Sequence, residues 1–154
     1  MTRTSTSPNS SNDALTNLSS HELKELIDKA TQSKALAYCP YSHFRVGCTV
    51  LTTNGTYIQG ANVENASYPV GHCAEQNTLG QAAVRGFRMG DVKAVAVATD
   101  ISPAASPCGM CRQFIREFCG LDMPIIMIDK DGQYVVKVLG EVSCTLSLIL
   151  KWQY

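Results

Sequence analysis

The sequence predicts a mixed α/β fold in which helices cover both faces of one sheet. Three observations carry this. The chain has 154 residues, enough for one compact domain and too few for two. Strand-like stretches alternate along it with stretches whose apolar residues recur at helical spacing. The resulting order is helix, hairpin, helix, strand, helix, strand, strand, and crossovers through helices put helices on both sides of a mixed sheet.

Each element has its own signal. Residues 1–17 are rich in Ser, Thr and Asn and too poor in apolar surface to offset ordering entropy, so a disordered tail is expected ahead of a domain spanning 18–154. Ser19 followed by Glu22 forms a capping box, and Leu23, Leu26, Ile27, Ala30, Leu36 and Ala37 then repeat at near-helical spacing. That helix should stop near Tyr38, ahead of Pro40. Two strands, 44–52 and 57–63, flank Asn54-Gly55, a strong hairpin turn. Within the first, Val46, Cys48 and Val50 alternate with other residues. A loop containing Gly71 leads to a second helix over 73–85, closed by Gly86. Residues 92–99 read as a buried strand, 103–107 as loop, and 108–119 as a third helix ending at Gly120. A strand at 125–128 turns through Lys130-Asp131-Gly132 into another at 134–138. The apolar tail 145–152 suits either helix or strand.

Composition narrows the function classes. Thirteen basic and thirteen acidic side chains give a net charge of zero, which argues against a polynucleotide partner. No apolar run is long enough to cross a bilayer, so no membrane association is expected. The first residues lack the apolar core of a signal peptide, and a lone Arg3 does not make a mitochondrial presequence. A cytoplasmic location is expected. Seven cysteines are many for this length: Cys39, Cys48, Cys73, Cys108, Cys111, Cys119 and Cys144. An odd count without a secretion signal speaks for metal binding rather than a disulfide framework. Cys39, Cys48, Cys119 and Cys144 stand apart and read as packing residues.

The chemistry concentrates in Cys73-Ala74-Glu75 and Pro107-Cys108-Gly109-Met110-Cys111. Two thiolates spaced C-x-x-C at a helix start can address one point, and a third from another helix start completes three ligands. Helix N-termini carry partial positive charge and favour the thiolate that zinc binding requires. Three protein ligands leave the fourth tetrahedral position open, as in catalytic zinc sites. Glu75 would then sit beside that position without ligating. A closed structural site with His72 as fourth ligand is the competing arrangement, although adjacent residues at a helix start point in different directions. His21, His43 and His72 otherwise carry no ligand spacing. The combined pattern is the signature of zinc deaminases in its three-cysteine form.

Three ordered blocks surround this signature: Cys39-Pro40-Tyr41-Ser42-His43-Phe44-Arg45-Val46-Gly47, then residues 60–68 from Gly60 to Tyr68, then Ser106-Pro107-Cys108-Gly109-Met110-Cys111-Arg112-Gln113. On these blocks the chain resembles the small cytidine deaminases that assemble as homotetramers, fungal members in particular. The resemblance implies a three-layer α/β/α sandwich. It implies one zinc per subunit on Cys73, Cys108 and Cys111, with Glu75 as the proton shuttle. Asn62 and Glu64 match residues that hold the ribose hydroxyls, and Phe44 matches the aromatic against the pyrimidine. Ala66 and Tyr68 match positions offered to a neighbouring subunit's site, and the backbone at Ala74 would contact the base. Asn62 and Glu64 lie two apart on the expected strand, so both would face one side. A carboxylate there accepts sugar hydroxyls and repels phosphate, favouring a free nucleoside.

The implied reaction is hydrolytic removal of the 4-amino group from cytidine and 2′-deoxycytidine. Glu75 would take a proton from the attacking water to N3, then carry a second to the departing amine. Two departures from the family pattern bear on rate. Gln76 stands where three-cysteine members carry arginine, leaving Arg112 and the helix ends to offset the thiolates' charge. Residues 141–147 replace the family's Glu-Leu-Leu-Pro segment. The competing functions are deamination of a related aminopyrimidine nucleoside, polynucleotide editing, and a catalytically weak zinc-stabilised assembly protein.

Overall fold

A computed structural model describes residues 15–142. Most of the expected disordered tail, Cys144 and the apolar stretch 145–152 lie outside the described residues. The elements are α1 (Ser20–Ser33), β1 (Val46–Thr52), β2 (Tyr57–Ala61), α2 (Ala74–Val84), β3 (Val92–Thr99), α3 (Gly109–Phe118), β4 (Pro124–Ile128), β5 (Tyr134–Val138) and the single turn α4 (Leu139–Val142). Short 3₁₀ turns occupy Lys34–Leu36 and Tyr68–Val70.

One sheet holds all five strands in the order β2-β1-β3-β4-β5. Only the β3–β4 pair is parallel; the other neighbours are antiparallel. The sheet has two distinct faces. Leu26 and Ala30 of α1 pack on Leu51, Ala94, Ala96, Ala98, Ile126 and Ile128. Leu79 of α2 and Ile115 of α3 pack on Cys48, Val50, Val95, Val97 and Ile125 on the other side. The expected three-layer α/β/α sandwich is therefore the observed fold. The run of small residues at Ala94, Ala96 and Ala98 lets α1 lie close to the sheet.

Several boundaries differ from the sequence expectation. The capping box forms as expected: Ser19 Oγ accepts from Glu22 N–H at 3.2 Å, and Glu22 accepts from Ser19 N–H at 2.8 Å. However, α1 ends at Ser33 and tightens into a 3₁₀ turn instead of running to Tyr38. Gly47 of β1 packs closely against this turn, where any Cβ would collide with Ala30 O and Lys34 N. Strand β1 starts at Val46, so Phe44 belongs to the preceding loop, and β1 is buried on both faces. Strand β2 ends at Ala61, which leaves Asn62 and Glu64 beyond it. Asn62 turns its carbonyl to Tyr38 N–H at 2.9 Å, and its side-chain Oδ1 takes over the Val46 N–H at 2.9 Å. The carboxamide replaces the next ladder carbonyl and the chain peels away from the sheet. Strands β3 and β5 match expectation at both ends, and β4 starts one residue earlier, at Pro124.

Candidate active site

Strands β2 and β3 both run antiparallel to β1, so they point the same way. The helices that follow them begin at the same end of the sheet. Cys73 is the N-cap of α2 and Cys108 the N-cap of α3. Two hydrogen bonds and one close approach dock α2 on β2: Asn77 Nδ2 donates to Ala61 O at 2.8 Å, Gln81 Nε2 donates to Gln59 O at 3.3 Å, and Thr78 packs on Gly60. A Cβ at Gly60 would meet Thr78 Oγ1 at 2.4 Å, so glycine permits this approach.

The sulfurs of Cys73, Cys108 and Cys111 all lie within 4.8 Å of one another, with Cys73 and Cys108 at 4.0 Å. Zinc–sulfur bonds of about 2.3 Å in a tetrahedron separate sulfurs by about 3.8 Å, so the donor set fits zinc. Cys108 Sγ also accepts the Cys111 N–H at 3.4 Å, which aims it along the start of α3. Hydrogen bonding with the Cys111 thiol lowers Cys73 to about 7, and the same contact holds Cys111 above the ordinary thiol range. His72 is not in this cluster; it is exposed, and its backbone pairs with Val63. Three protein ligands remain, with no fourth among the described residues, which is the composition of an open catalytic centre.

Glu75, in the first turn of α2, is buried, and removal from water raises its carboxyl above the usual range. Its side chain borders a cavity of about 300 Å³ together with the three cysteines and Ala74. The opposite wall holds Phe44, Asn62, Glu64 and Tyr68. Glu64 is held below the usual carboxylate range, chiefly by the Ser42 hydroxyl, and is thus kept ionised. Of the sequence-derived residues, Ala66 alone stays outside this lining, exposed on the loop after Glu64.

Sequence reasoning gave no site role to Val46, Val63, Gly71, Val97, Thr99, Ala105 and Ser106, which together with His72 complete the cavity wall. Strand parity marks two of them, since Val97 and Thr99 share the face of β3 that Val95 turns toward α2 and α3. Gln76 is half-buried and lines a separate outer groove with Gln81, Val84 and Phe114. Arg112 is engaged elsewhere: Nε donates to Pro107 O and Nη2 to Ser106 Oγ, each at 2.7 Å. Its guanidinium braces the loop that delivers Cys108. Cys48 and Cys119 are buried in the core as expected.

Three convergent thiolates beside a buried carboxyl, at the edge of an open pocket, define a zinc hydrolase centre on an α/β/α fold. A family model described as the cytidine and deoxycytidylate deaminase zinc-binding region matches residues 20–127. The cytidine deaminase of Halalkalibacterium halodurans is 43% identical over 70% of this chain and 80% of its own length. A probable cytidine deaminase of Dictyostelium discoideum is 39% identical over 73% of this chain and 76% of its own. The crystal structure of cytidine deaminase from Burkholderia pseudomallei superposes with a TM-score of 0.76 at 34% identity, covering 81% of this chain and 96% of that one. The chain belongs to the cytidine deaminase family, and its cofactor is zinc.

Proposed function

We propose that this protein hydrolyses cytidine and 2′-deoxycytidine to uridine and 2′-deoxyuridine, releasing ammonia. The observation that carries this is the pairing, across one cavity, of a buried carboxyl next to three thiolates with an aromatic ring, a carboxamide and an ionised carboxylate. Relatives named cytidine deaminase support this reading over an aminopyrimidine variant or a silent assembly protein.

Cys73, Cys108 and Cys111 hold the metal. Bound there, zinc supplies Lewis-acid chemistry and lowers the pKa of a water toward neutrality. Glu75 accepts the proton of the attacking water and passes it to N3 as the oxygen adds to C4. It then takes the remaining hydroxyl proton and gives it to the amino group. The C4–N4 bond breaks, ammonia leaves and the C4 carbonyl forms. Burial raises the Glu75 carboxyl above the usual range, which favours proton uptake by a group that must gain and release a proton in each turnover.

Phe44 lies against the pyrimidine, the Ala74 backbone contacts the base, and Asn62 with Glu64 holds the sugar. The Glu64 charge disfavours phosphate nearby, which selects free nucleosides over nucleotides and nucleic acid. Tyr38, Tyr41, Val63, Tyr68 and Val70 are exposed apolar residues, and Val63 and Tyr68 among them line the cavity. In a homotetramer they would be covered, with Ala66 and Tyr68 offered to the neighbouring subunit's site. The free cysteines among the described residues accord with the cytoplasm.

The test is the fall in ultraviolet absorbance when zinc-loaded protein meets cytidine. Conversion to uridine is expected. No conversion by folded, zinc-bound protein would overturn the proposal.

A further inference from the structure

Glu64 and Phe44 are joined through a residue that does not itself line the cavity. The Ser42 hydroxyl donates to Glu64 Oε1 and accepts the Phe44 N–H at 3.0 Å. The backbone N–H groups of Ser42 and Tyr41 reach the other oxygen, Glu64 Oε2, at 3.2 and 3.0 Å. On the far side of Phe44, its carbonyl accepts from Asn62 Nδ2 at 2.8 Å. Phe44 is thus held at its N–H by a group bonded to Glu64 and at its C=O by Asn62.

The loop has other anchors as well: Arg45 donates twice to Asp100, at 2.8 and 3.2 Å, and the Tyr41 ring meets Tyr68 edge-on. His43 N–H donates to Cys39 O at 3.0 Å, and His43 takes a left-handed backbone conformation at φ 55°. Histidine adopts this region more readily than most non-glycine residues. On either side of it, the Ser42 N–H bonds to Glu64 and the Phe44 N–H bonds to the Ser42 hydroxyl. A hydroxyl suits the junction because it can donate to a carboxylate and accept an amide at once. Without it, Glu64 loses a charge-assisted bond and the Phe44 N–H loses its partner. The carboxylate can then swing and the loop bearing the ring can shift.

We infer that Ser42 is a positioning residue that couples the Glu64 carboxylate to Phe44, presenting both to the nucleoside in one fixed relation. This rests on the sugar and base contacts proposed above for Glu64 and Phe44.

The test compares Ser42→Ala, Ser42→Thr, Glu64→Ala and the double variant Ser42→Ala/Glu64→Ala with cytidine on zinc-loaded protein. Ser42→Ala is expected to raise KM about tenfold with kcat within about threefold, the pattern of lost uniform binding. Ser42→Thr, which keeps the hydroxyl, should stay within about threefold of the parent in both constants. In the Glu64→Ala background, the KM effect of Ser42→Ala should shrink to below about threefold, because the two act as a unit. Independently of turnover, Phe44 amide hydrogen exchange followed by NMR should quicken about tenfold or more in Ser42→Ala and not in Ser42→Thr. An unchanged KM in Ser42→Ala, or an equal KM rise with Glu64 already removed, overturns the inference. Should the parent convert no cytidine, the functional proposal falls by itself. The Ser42 coupling is then decided by exchange, and unchanged protection at Phe44 overturns it.

Discussion

Cys73 and Cys108 are 35 residues apart in the chain, yet their sulfurs lie 4.0 Å from each other. The sheet accounts for this. Strands β2 and β3 run in the same direction with β1 between them, so both following helices start at one end of the sheet. Each cysteine is the N-cap of its helix, and two helix termini therefore point at one place. Open α/β sheets bind ligands at this end of their strands for the same reason.

Metal and fold are consequently coupled. Stripping zinc with a chelator should lower the melting temperature, and restoring about one zinc per chain should recover it, because the ion binds only the assembled site. Cys111→Ala removes the buried ligand and should leave zinc far below about one per chain at equal protein concentration. Metal content by elemental analysis, read beside a melting curve, checks both. A variant retaining full zinc would show that Cys111 is not a ligand.

Glu75→Gln tests the proton shuttle proposed for Glu75. The amide has nearly the shape of the buried carboxyl but cannot exchange protons. Turnover should drop by about 10²-fold to 10⁴-fold, with zinc content and circular dichroism unchanged. Near-parental turnover would exclude Glu75 from the role proposed for it.

Gly47→Ala should cost stability without touching the site. The new methyl group would meet backbone atoms of Ala30, Ser33 and Lys34, none of which can rotate away. Overpacking of this kind costs about 1–3 kcal/mol. Denaturant unfolding of the zinc-loaded protein measures it, and an unchanged midpoint would show that α1 slides freely over β1.

The Glu22 network predicts a pH window. Glu22 is lowered to about 2, first by its hydrogen bond from Lys93 and then by the Ser19 N–H. A carboxyl whose folded pKa lies below its unfolded value of 4.5 stabilises fully above 4.5, and that contribution disappears as pH falls toward 2. Glu22→Gln should therefore melt below the parent by a constant margin near neutrality. The margin should narrow progressively below pH 4.5. Paired thermal melts across that range check this, and a margin that stays constant into acid would place the stabilisation elsewhere.

Much of the fold was legible before any coordinates. Val92–Thr99 and Tyr134–Val138 are short β-rich runs bounded by turn residues, and the structure bounds them as the sequence did. The Ser19 cap of α1 and the glycine after α2 were equally local signals. The failures have a common cause. Apolar spacing continues through Leu36, but the last turn is 3₁₀ and packs against Gly47 of β1. Strand-like composition continues through Val63, but Asn62 uses its side chain where the ladder needs a carbonyl. In both places a contact between distant segments overrode a local pattern.

The sequence by itself determined which side chains gather at the two helix starts. C-x-E and C-x-x-C at helix starts bring thiolates and a carboxylate to short range of their own helix ends, and that much is set by 3.6-residue geometry. Tertiary structure alone decided what faces them. The chain peeling off β2, the loop pinned by Ser42 and the far end of β3 meet across the cavity only because the sheet order brings β2, β1 and β3 side by side. Their positions depend on hydrogen bonds between residues distant in sequence, such as Asn62 to Phe44 and Glu64 to Ser42, and no local periodicity encodes such pairings.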